Sequence, residues 1–305
     1  MNVFSAFDGI SCGQQALDRL GVKVDNYFAS EIDKYAIKIT QKNYPDTIQL
    51  GDVRDVKGSD LPNIDLILCG SPCQGFSFAG KQLAFDDPRS ALFFEFIRLL
   101  KECKPKYFLL ENVRMKKEYI NIITEQVSEC YPDYQGTGSD LFNNRIEPIL
   151  INSALLSAQN RQRYYWTNIP NITQPKDRGI VLRDVLEDTG THGYANGCVT
   201  GAWRGRYKVD GIRQDHKGSV AGRTKQMLEL RKDEKTNALT TVQKDNVVVD
   251  REQMNWRNLS AVECERLQTV VDNYTEGVSS TQRYKMLGNG MTVEVISHIL
   301  SNLWY

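Results

Sequence analysis

Short apolar runs alternate with amphipathic stretches through the first half of the chain. Residues 3–7 and 27–30 read as strands, and residues 14–20 and 34–42 as the helices that follow them. Residues 64–69 form a buried-strand pattern that stops at Gly70. Between Ser90 and Cys103 apolar residues at 92, 93, 96, 97, 99 and 100 have helical spacing. Residues 107–110 make a further strand. Strands alternating with helices predict an α/β fold: a mostly parallel sheet with helices on both faces. Ligands of such sheets bind beyond the carboxyl ends of the strands, so the loops after strands are the first places to look for a site.

The pattern changes near Pro170. Residues 171–250 are rich in Gly, Asn, Thr, Arg and Lys and poor in long apolar periods. Residues 201–235 hold ten Lys/Arg, Arg204 and Arg206 among them, against five Asp/Glu. Trp203 and Tyr207 sit among these charges. The stretch reads as a small second domain facing phosphates, although a solvated insertion has the same composition. From Leu259 helical patterning returns and ends in a helix over residues 292–303. The expected organisation is residues 1–170 as the main domain, 171–255 as the second domain, and 256–305 as helices returning to the first.

Composition narrows the picture. The 305 residues are 41% hydrophobic and 25% charged, as in ordinary globular proteins. Lys plus Arg (38) equals Asp plus Glu (38), so any nucleic-acid surface must be a local one. No apolar run approaches the ~18 residues of a membrane span, and residues 1–7 lack the basic start of a signal peptide. Seven cysteines without C-x-x-C pairing argue against a disulfide framework or zinc site and for a reducing cytoplasm. Three histidines leave little room for chemistry built on a His cluster.

Three polar groups mark the ends of the first three strands. The loop from Phe7 through Asp8 and Gly9 to Gly13 opens a helix, where glycines let backbone N–H groups approach a ligand. Glu31 ends the second strand, where an acid in such folds takes ribose hydroxyls. Asp52 ends the third. Together they suggest a nucleoside site. The decisive segment is Gly70-Ser71-Pro72-Cys73-Gln74-Gly75, a cysteine in a Gly/Pro-framed loop just past a buried strand. A thiolate is a strong nucleophile and a good leaving group near neutral pH. Glu111, in Glu111-Asn112-Val113 after the strand over 107–110, could share a proton with a ring nitrogen. Arg163, in Gln159-Asn160-Arg161-Gln162-Arg163, could hold a developing negative charge on a carbonyl oxygen.

In this order and spacing, Gly-Ser-Pro-Cys-Gln, Glu-Asn-Val and Gln-Asn-Arg-Gln-Arg resemble the ordered motifs of DNA cytosine-5 methyltransferases. Phe7–Gly9, Arg257–Ser260 with Glu263–Gln268, and Gly288-Asn289-Gly290-Met291-Thr292-Val293 extend the resemblance over nearly the whole chain except residues 171–250, where that family keeps its target-recognition domain. The resemblance implies a Rossmann-like methyltransferase sheet, S-adenosylmethionine as methyl donor (leaving S-adenosylhomocysteine) and no metal. It implies Cys73 as nucleophile, Glu111 as the carboxyl engaging the base, and Arg163 on the base carbonyl. Phe7, Gly9, Glu31, Ile32, Asp52, Val53, Pro72, Leu92 and Asn289 are then expected to line the cofactor. Gln74, Lys81, Arg89, Arg161, Arg204 and Arg206 are expected to face DNA. The helix after Asn289 should return beside the first strand and complete the pocket. The chain departs from many relatives at Ile10-Ser11-Cys12-Gly13, where they carry a second glycine pair. Residues 131–144 read as an insertion without an assigned role.

The implied protein is a monomeric bacterial or phage enzyme acting on double-stranded DNA in the cytoplasm, away from membranes. It would belong to a restriction–modification pair or act as a solitary protective methylase. The target carbon is inaccessible in stacked DNA, so the cytosine must be flipped out. Rival readings are a tRNA cytosine-5 methyltransferase, a catalytically inactive DNA-binding homologue, and a thiolate enzyme of free pyrimidine nucleotides. The basic 171–250 region favours duplex DNA over the first and third. The second should have lost Cys73, Glu111 or Arg163, and all three are present.

Overall fold

The computed structural model describes residues 1–71, 91–135, 145–187, 198–210, 212–214, 224–251 and 255–304. Strands β1 (Asn2–Ala6), β2 (Asn26–Ser30), β3 (Ile48–Gln49), β4 (Leu66–Cys69) and β5 (Tyr107–Val113) are parallel neighbours in a seven-stranded sheet. β6 (Ile149–Asn152) completes it beside β8 (Gln162–Thr167), and short β7 (Gln159–Asn160) precedes β8. The sheet order is β3-β2-β1-β4-β5-β8-β6, with β8 antiparallel to both its neighbours. The expected α/β fold is therefore present, mostly parallel with one reversed strand. The chain direction of sheet building switches between β1 and β4, and such a switch point opens a crevice at the strand ends.

Alternation along the central strands divides the core. Val3, Leu66, Leu68 and Leu109 face one side, where they join α1 (Cys12–Arg19), α2 (Lys34–Asn43) and α8 (Val293–Leu300). Phe4, Ile67, Phe108 and Leu110 face the other, against α3 (Ala91–Cys103) and α4 (Lys117–Glu129). Neighbouring side chains of a strand point to opposite faces, so a strand buried on both must be apolar throughout, as β4 is. α8 lies against α1 on the first face, and the junction before it reaches the ends of the parallel strands. The expected helix over residues 292–303 divides into α8 and a 3-10 turn at Ser301–Trp304.

A second sheet, of order β12-β9-β14-β15, is antiparallel throughout. It comprises β9 (Cys198–Arg206), β12 (Lys225–Leu230), β14 (Val247–Asp250) and β15 (Asn255–Asn258). β10 (Lys208–Val209) and β11 (Ile212–Arg213) pair as a small hairpin, and β13 (Thr236–Asn237) pairs parallel with β7. The expected boundary after residue 255 cuts through β15, whose pairing with β14 carries the sheet to Asn258. This unit has only a small cluster of its own, Val199, Val247 and Val249 with Trp203 and Leu228 packed against them. Leu182 and Val185 of α5 (Leu182–Val185), Leu239 and Val248 all pack into the main core. α6 (Ala261–Leu267) follows, opened by a capping box in which Ser260 and Glu263 bond each other's backbone N–H. α7 (Ser280–Asn289) then leads through Gly290 to α8. Among the described residues no helix is long and apolar enough to cross a membrane.

Candidate active site

A cavity of about 580 Å³ opens at the carboxyl ends of β1, β2 and β4, closed on one side by the α7–α8 junction. Phe7, Gly9, Glu31, Ile32, Asp52, Val53, Leu92 and Asn289 all line it, as do Glu111, Arg161 and Arg163. Pro72, Cys73, Gln74, Lys81 and Arg89 lie outside the described residues. The chain approaches Cys73 through Gly70 and Ser71, both on the cavity wall.

The first loop is strained and held from beneath. Phe7, Gly9 and Ser11 have φ of 57°, 61° and 54°, the left-handed region that only glycine enters without steric cost. Asp8, 5% exposed, is the hub that offsets this. Its carboxylate accepts hydrogen bonds from Ser11 Oγ and, at 2.9 Å, from the Tyr27 hydroxyl. Its N–H donates to the Ser30 carbonyl at 3.1 Å. Burial pushes its carboxyl up to about 6, against the lowering effect of its hydroxyl donors. Glu31 joins this loop to the next. Oε2 accepts from Gly9 N at 2.8 Å, and Oε1 from Ile32 N and Asp33 N, each at 2.8 Å. Asp52 is gripped by the Nε and Nη2 of Arg54, which holds its carboxyl down to about 2. Ile32 is 73% exposed, a large apolar side chain at a cavity edge with no protein cover.

Glu111 lies inside β5, not after it as the sequence suggested, because β8 pairs with the strand as far as Val113. In that register Glu111 opposes Tyr165 and Val113 opposes Arg163, so Glu111 and Arg163 are diagonal neighbours on one face. Arg163 Nε lies 3.0 Å from Glu111 Oε1. The contact is an ion pair without hydrogen-bond alignment: among the described residues Oε1 is buried and accepts no hydrogen bond. The Asn112 side chain donates to Ser71 Oγ at 3.0 Å, which ties the end of β5 to the segment leading to Cys73.

The cavity also holds Cys12, whose thiol burial pushes up to about 12. Such a thiol stays protonated at neutral pH and is a poor nucleophile. Burial likewise raises the thiol of Cys69 at the end of β4. Among the described residues there is no group of three or more His, Cys, Asp and Glu arranged to hold a metal ion.

Three residues expected to face DNA have protein partners. Arg161 is 3% exposed. It donates to the carbonyls of Leu239 at 3.0 Å, Gly288 at 3.3 Å and Gly290 at 2.9 Å. Arg206 is paired bidentately with Glu229 across β9 and β12, both bonds at 2.6 Å. Arg204 lies 3.3 Å from Asp245. The sequence displayed the local excess of positive charge but not the acids brought to it by the fold, Glu229 on the neighbouring strand and Asp245 in the turn before β14. It also missed Asp33, Arg54, Ser71, Lys285 and Met291 on the cavity wall. The neighbours of Glu31 and Asp52 could have suggested Asp33 and Arg54; nothing in the local pattern singles out Lys285.

The chain matches the family model described as C-5 cytosine-specific DNA methylase over residues 1–304. It is 33% identical over 306 residues to the Type II methyltransferase M1.ScrFI of Lactococcus lactis subsp. cremoris, covering 92% of this chain and 72% of that protein. It is 30% identical over 315 residues to the Type II methyltransferase M.NlaX of Neisseria lactamica, covering 99% and 95% of the two chains. The solved structure of the Entamoeba histolytica methyltransferase EhMeth shares the fold, with a TM-score of 0.71 over 100% of this chain and 98% of that one at 18% identity. With the family match running from the first strand to the last helical turn, the chain belongs to the C-5 cytosine-specific DNA methylase family.

Proposed function

We propose that this DNA cytosine-5 methyltransferase uses Cys73 as its nucleophile, holds the flipped cytosine with Glu111 and Arg163, and binds S-adenosylmethionine in the cavity at the strand ends. The observation that carries the reading is the Glu111–Arg163 pair on the cavity wall, beside the Gly70–Ser71 segment that leads into Cys73. A buried carboxylate oxygen without a hydrogen bond, next to a guanidinium, suits a base edge that carries a ring nitrogen and an amine beside a carbonyl.

The lining fits the cofactor's chemistry. Exposed Ile32 offers an apolar surface to a flat ring, and Glu31 Oε2, which accepts one bond from Gly9 N, retains lone-pair capacity for a hydroxyl. When bound, S-adenosylmethionine supplies an electrophilic methyl group. The chain's own residues prepare the acceptor. The Cys73 thiolate bonds to carbon 6, and the electron pair of the 5,6 double bond moves toward carbon 5. Glu111 at ring nitrogen 3 and Arg163 at the carbonyl oxygen stabilise the charge that develops on the ring. After carbon 5 takes the methyl group, a bound water removes its proton, the double bond reforms and Cys73 leaves. No step calls for a metal, so activity should survive EDTA.

The second sheet is the proposed target-recognition unit for duplex DNA, with Gln74, Lys81 and Arg89 as further contacts. Relatives named as Type II methyltransferases support a place in a restriction–modification pair. We further infer a cytoplasmic monomer. Bisulfite sequencing of DNA from cells expressing the protein tests the reading: one protected sequence context is expected. Unmodified cytosines throughout, with folded protein confirmed, would refute it. A Cys73→Ser variant methylating at the wild-type rate would remove the nucleophile assignment.

A further inference from the structure

Gln159 and Arg161 stand two residues apart in extended chain, so their side chains leave on the same side. Both are buried, and they meet Gln268, which is 1% exposed. Gln159 Oε1 accepts from Leu239 N at 2.7 Å, and Gln159 Nε2 donates to Gln268 Oε1 at 3.1 Å. Gln268 Nε2 donates to the Gly290 carbonyl at 3.0 Å. That carbonyl also accepts from Arg161 Nη2 at 2.9 Å, and Arg161 Nη1 returns to the Leu239 carbonyl at 3.0 Å. The bonds close into a ring through Leu239, Gln159, Gln268, Gly290 and Arg161. A contact between backbones tightens it: a Cβ on Gly288 would lie 2.4 Å from the carbonyl carbon and oxygen of Thr240.

The ring joins two places with different duties. Gly288 and Gly290 line the cavity. Leu239 lies in the connection from β13 to β14, which feeds the second sheet. A buried guanidinium must keep its acceptors, because an uncompensated buried charge costs several kcal/mol. Its planar fork spans both carbonyls, so one cannot be displaced without dragging the other or breaking a charge-assisted bond.

We propose that Arg161 is a positioning residue that couples occupancy of the cofactor cavity to DNA binding by the second sheet. The inference rests on the function proposed above. Ordering of the Gly288–Gly290 wall by a ligand restrains Leu239, and ordering of the second sheet by DNA restrains the wall. Each ligand then tightens the other by the same factor.

The test is calorimetric titration of S-adenosylhomocysteine with and without a short duplex carrying the site found by bisulfite sequencing. Duplex should tighten wild-type binding by roughly fivefold or more. In Arg161→Lys, whose single ammonium cannot span both carbonyls, the tightening should fall below about twofold. The loss should appear in KM for the cofactor at subsaturating DNA more than in kcat. A folded Arg161→Lys protein with wild-type coupling overturns the proposal, as does a wild-type protein that binds S-adenosylhomocysteine equally with and without duplex. A second measurement needs no variant: S-adenosylhomocysteine alone should slow amide hydrogen exchange at residues 239–241, and unchanged exchange there also overturns it. Wild-type protein that fails to bind S-adenosylhomocysteine at all refutes the underlying function, a result distinct from binding without coupling.

Discussion

Glu111 and Arg163 acquire their relation from register. Forty-eight residues separate two strands whose antiparallel pairing leaves the carboxylate and guanidinium diagonal, 3.0 Å apart. Replacing Glu111 by Gln keeps the shape but removes the carboxyl proposed to share a proton with the base. It should lower kcat roughly a hundredfold or more, measured by tritium transfer to duplex DNA, with little change in thermal stability. Asp8 predicts a pH effect of definite sign. Its folded carboxyl is raised to about 6 from 3.8, so the folded state binds the proton more tightly than the unfolded chain. The resulting stability is fully present below about pH 4 and is lost as pH rises through about 6. Relative to Asp8→Asn, the wild-type protein should lose up to about 3 kcal/mol across that window. Urea unfolding at several pH values measures it, and parallel pH profiles for the two proteins would refute the assignment.

At the scale of elements, backbone approach decides what glycines do. α7 meets the connection before β14 at Gly288, where a Cβ would contact the Thr240 backbone rather than a side chain that can turn aside. Gly288→Ala must therefore move one of the two segments, and overpacking of this kind costs about 1–3 kcal/mol. Thermal denaturation should show the loss despite alanine's better helix propensity. The elements themselves were largely readable in advance. β1, β2, β4, α1, α2 and α3 fall within a few residues of their expected places, because each carries an apolar pattern of a single period. β5 was read too short, since Glu111 and Asn112 are polar residues buried at the sheet's working end. There the requirement for an apolar strand yields to the site.

For the molecule as a whole, the balance of charge bears on DNA binding. Arg206 is held bidentately by Glu229 and Arg204 lies against Asp245, so neither resembles a phosphate contact waiting for a ligand. A full phosphate contact contributes about 0.9 to the slope of log affinity against log salt. Arg206→Ala should therefore change that slope by less than about half a unit, measured by fluorescence anisotropy with duplex DNA from low to high salt. A drop near one full unit would instead make Arg206 a phosphate contact that exchanges Glu229 for DNA.

The sequence by itself determined the fold class and the contents of the cavity. Period-two and period-3.6 patterns specify strands and helices locally, and the loops after strands carry polar residues that no core would hold. The loop of Phe7, Glu31 and Asp52 thus converge on one cavity, and Leu92 and Asn289, expected there only from the family resemblance, line it too. Only the tertiary structure decided the fates of the arginines. Arg161, Arg163, Arg204 and Arg206 share a side chain and an expected role near substrate, yet one is buried among carbonyls, one meets the Glu111 carboxylate, Arg206 is paired with Glu229 on the neighbouring strand, and Arg204 lies against Asp245 in the turn before β14. A guanidinium can satisfy its donors with backbone, carboxylate or phosphate alike, and which of these lies within 3 Å is set by strand register and chain return, not by its neighbours in sequence.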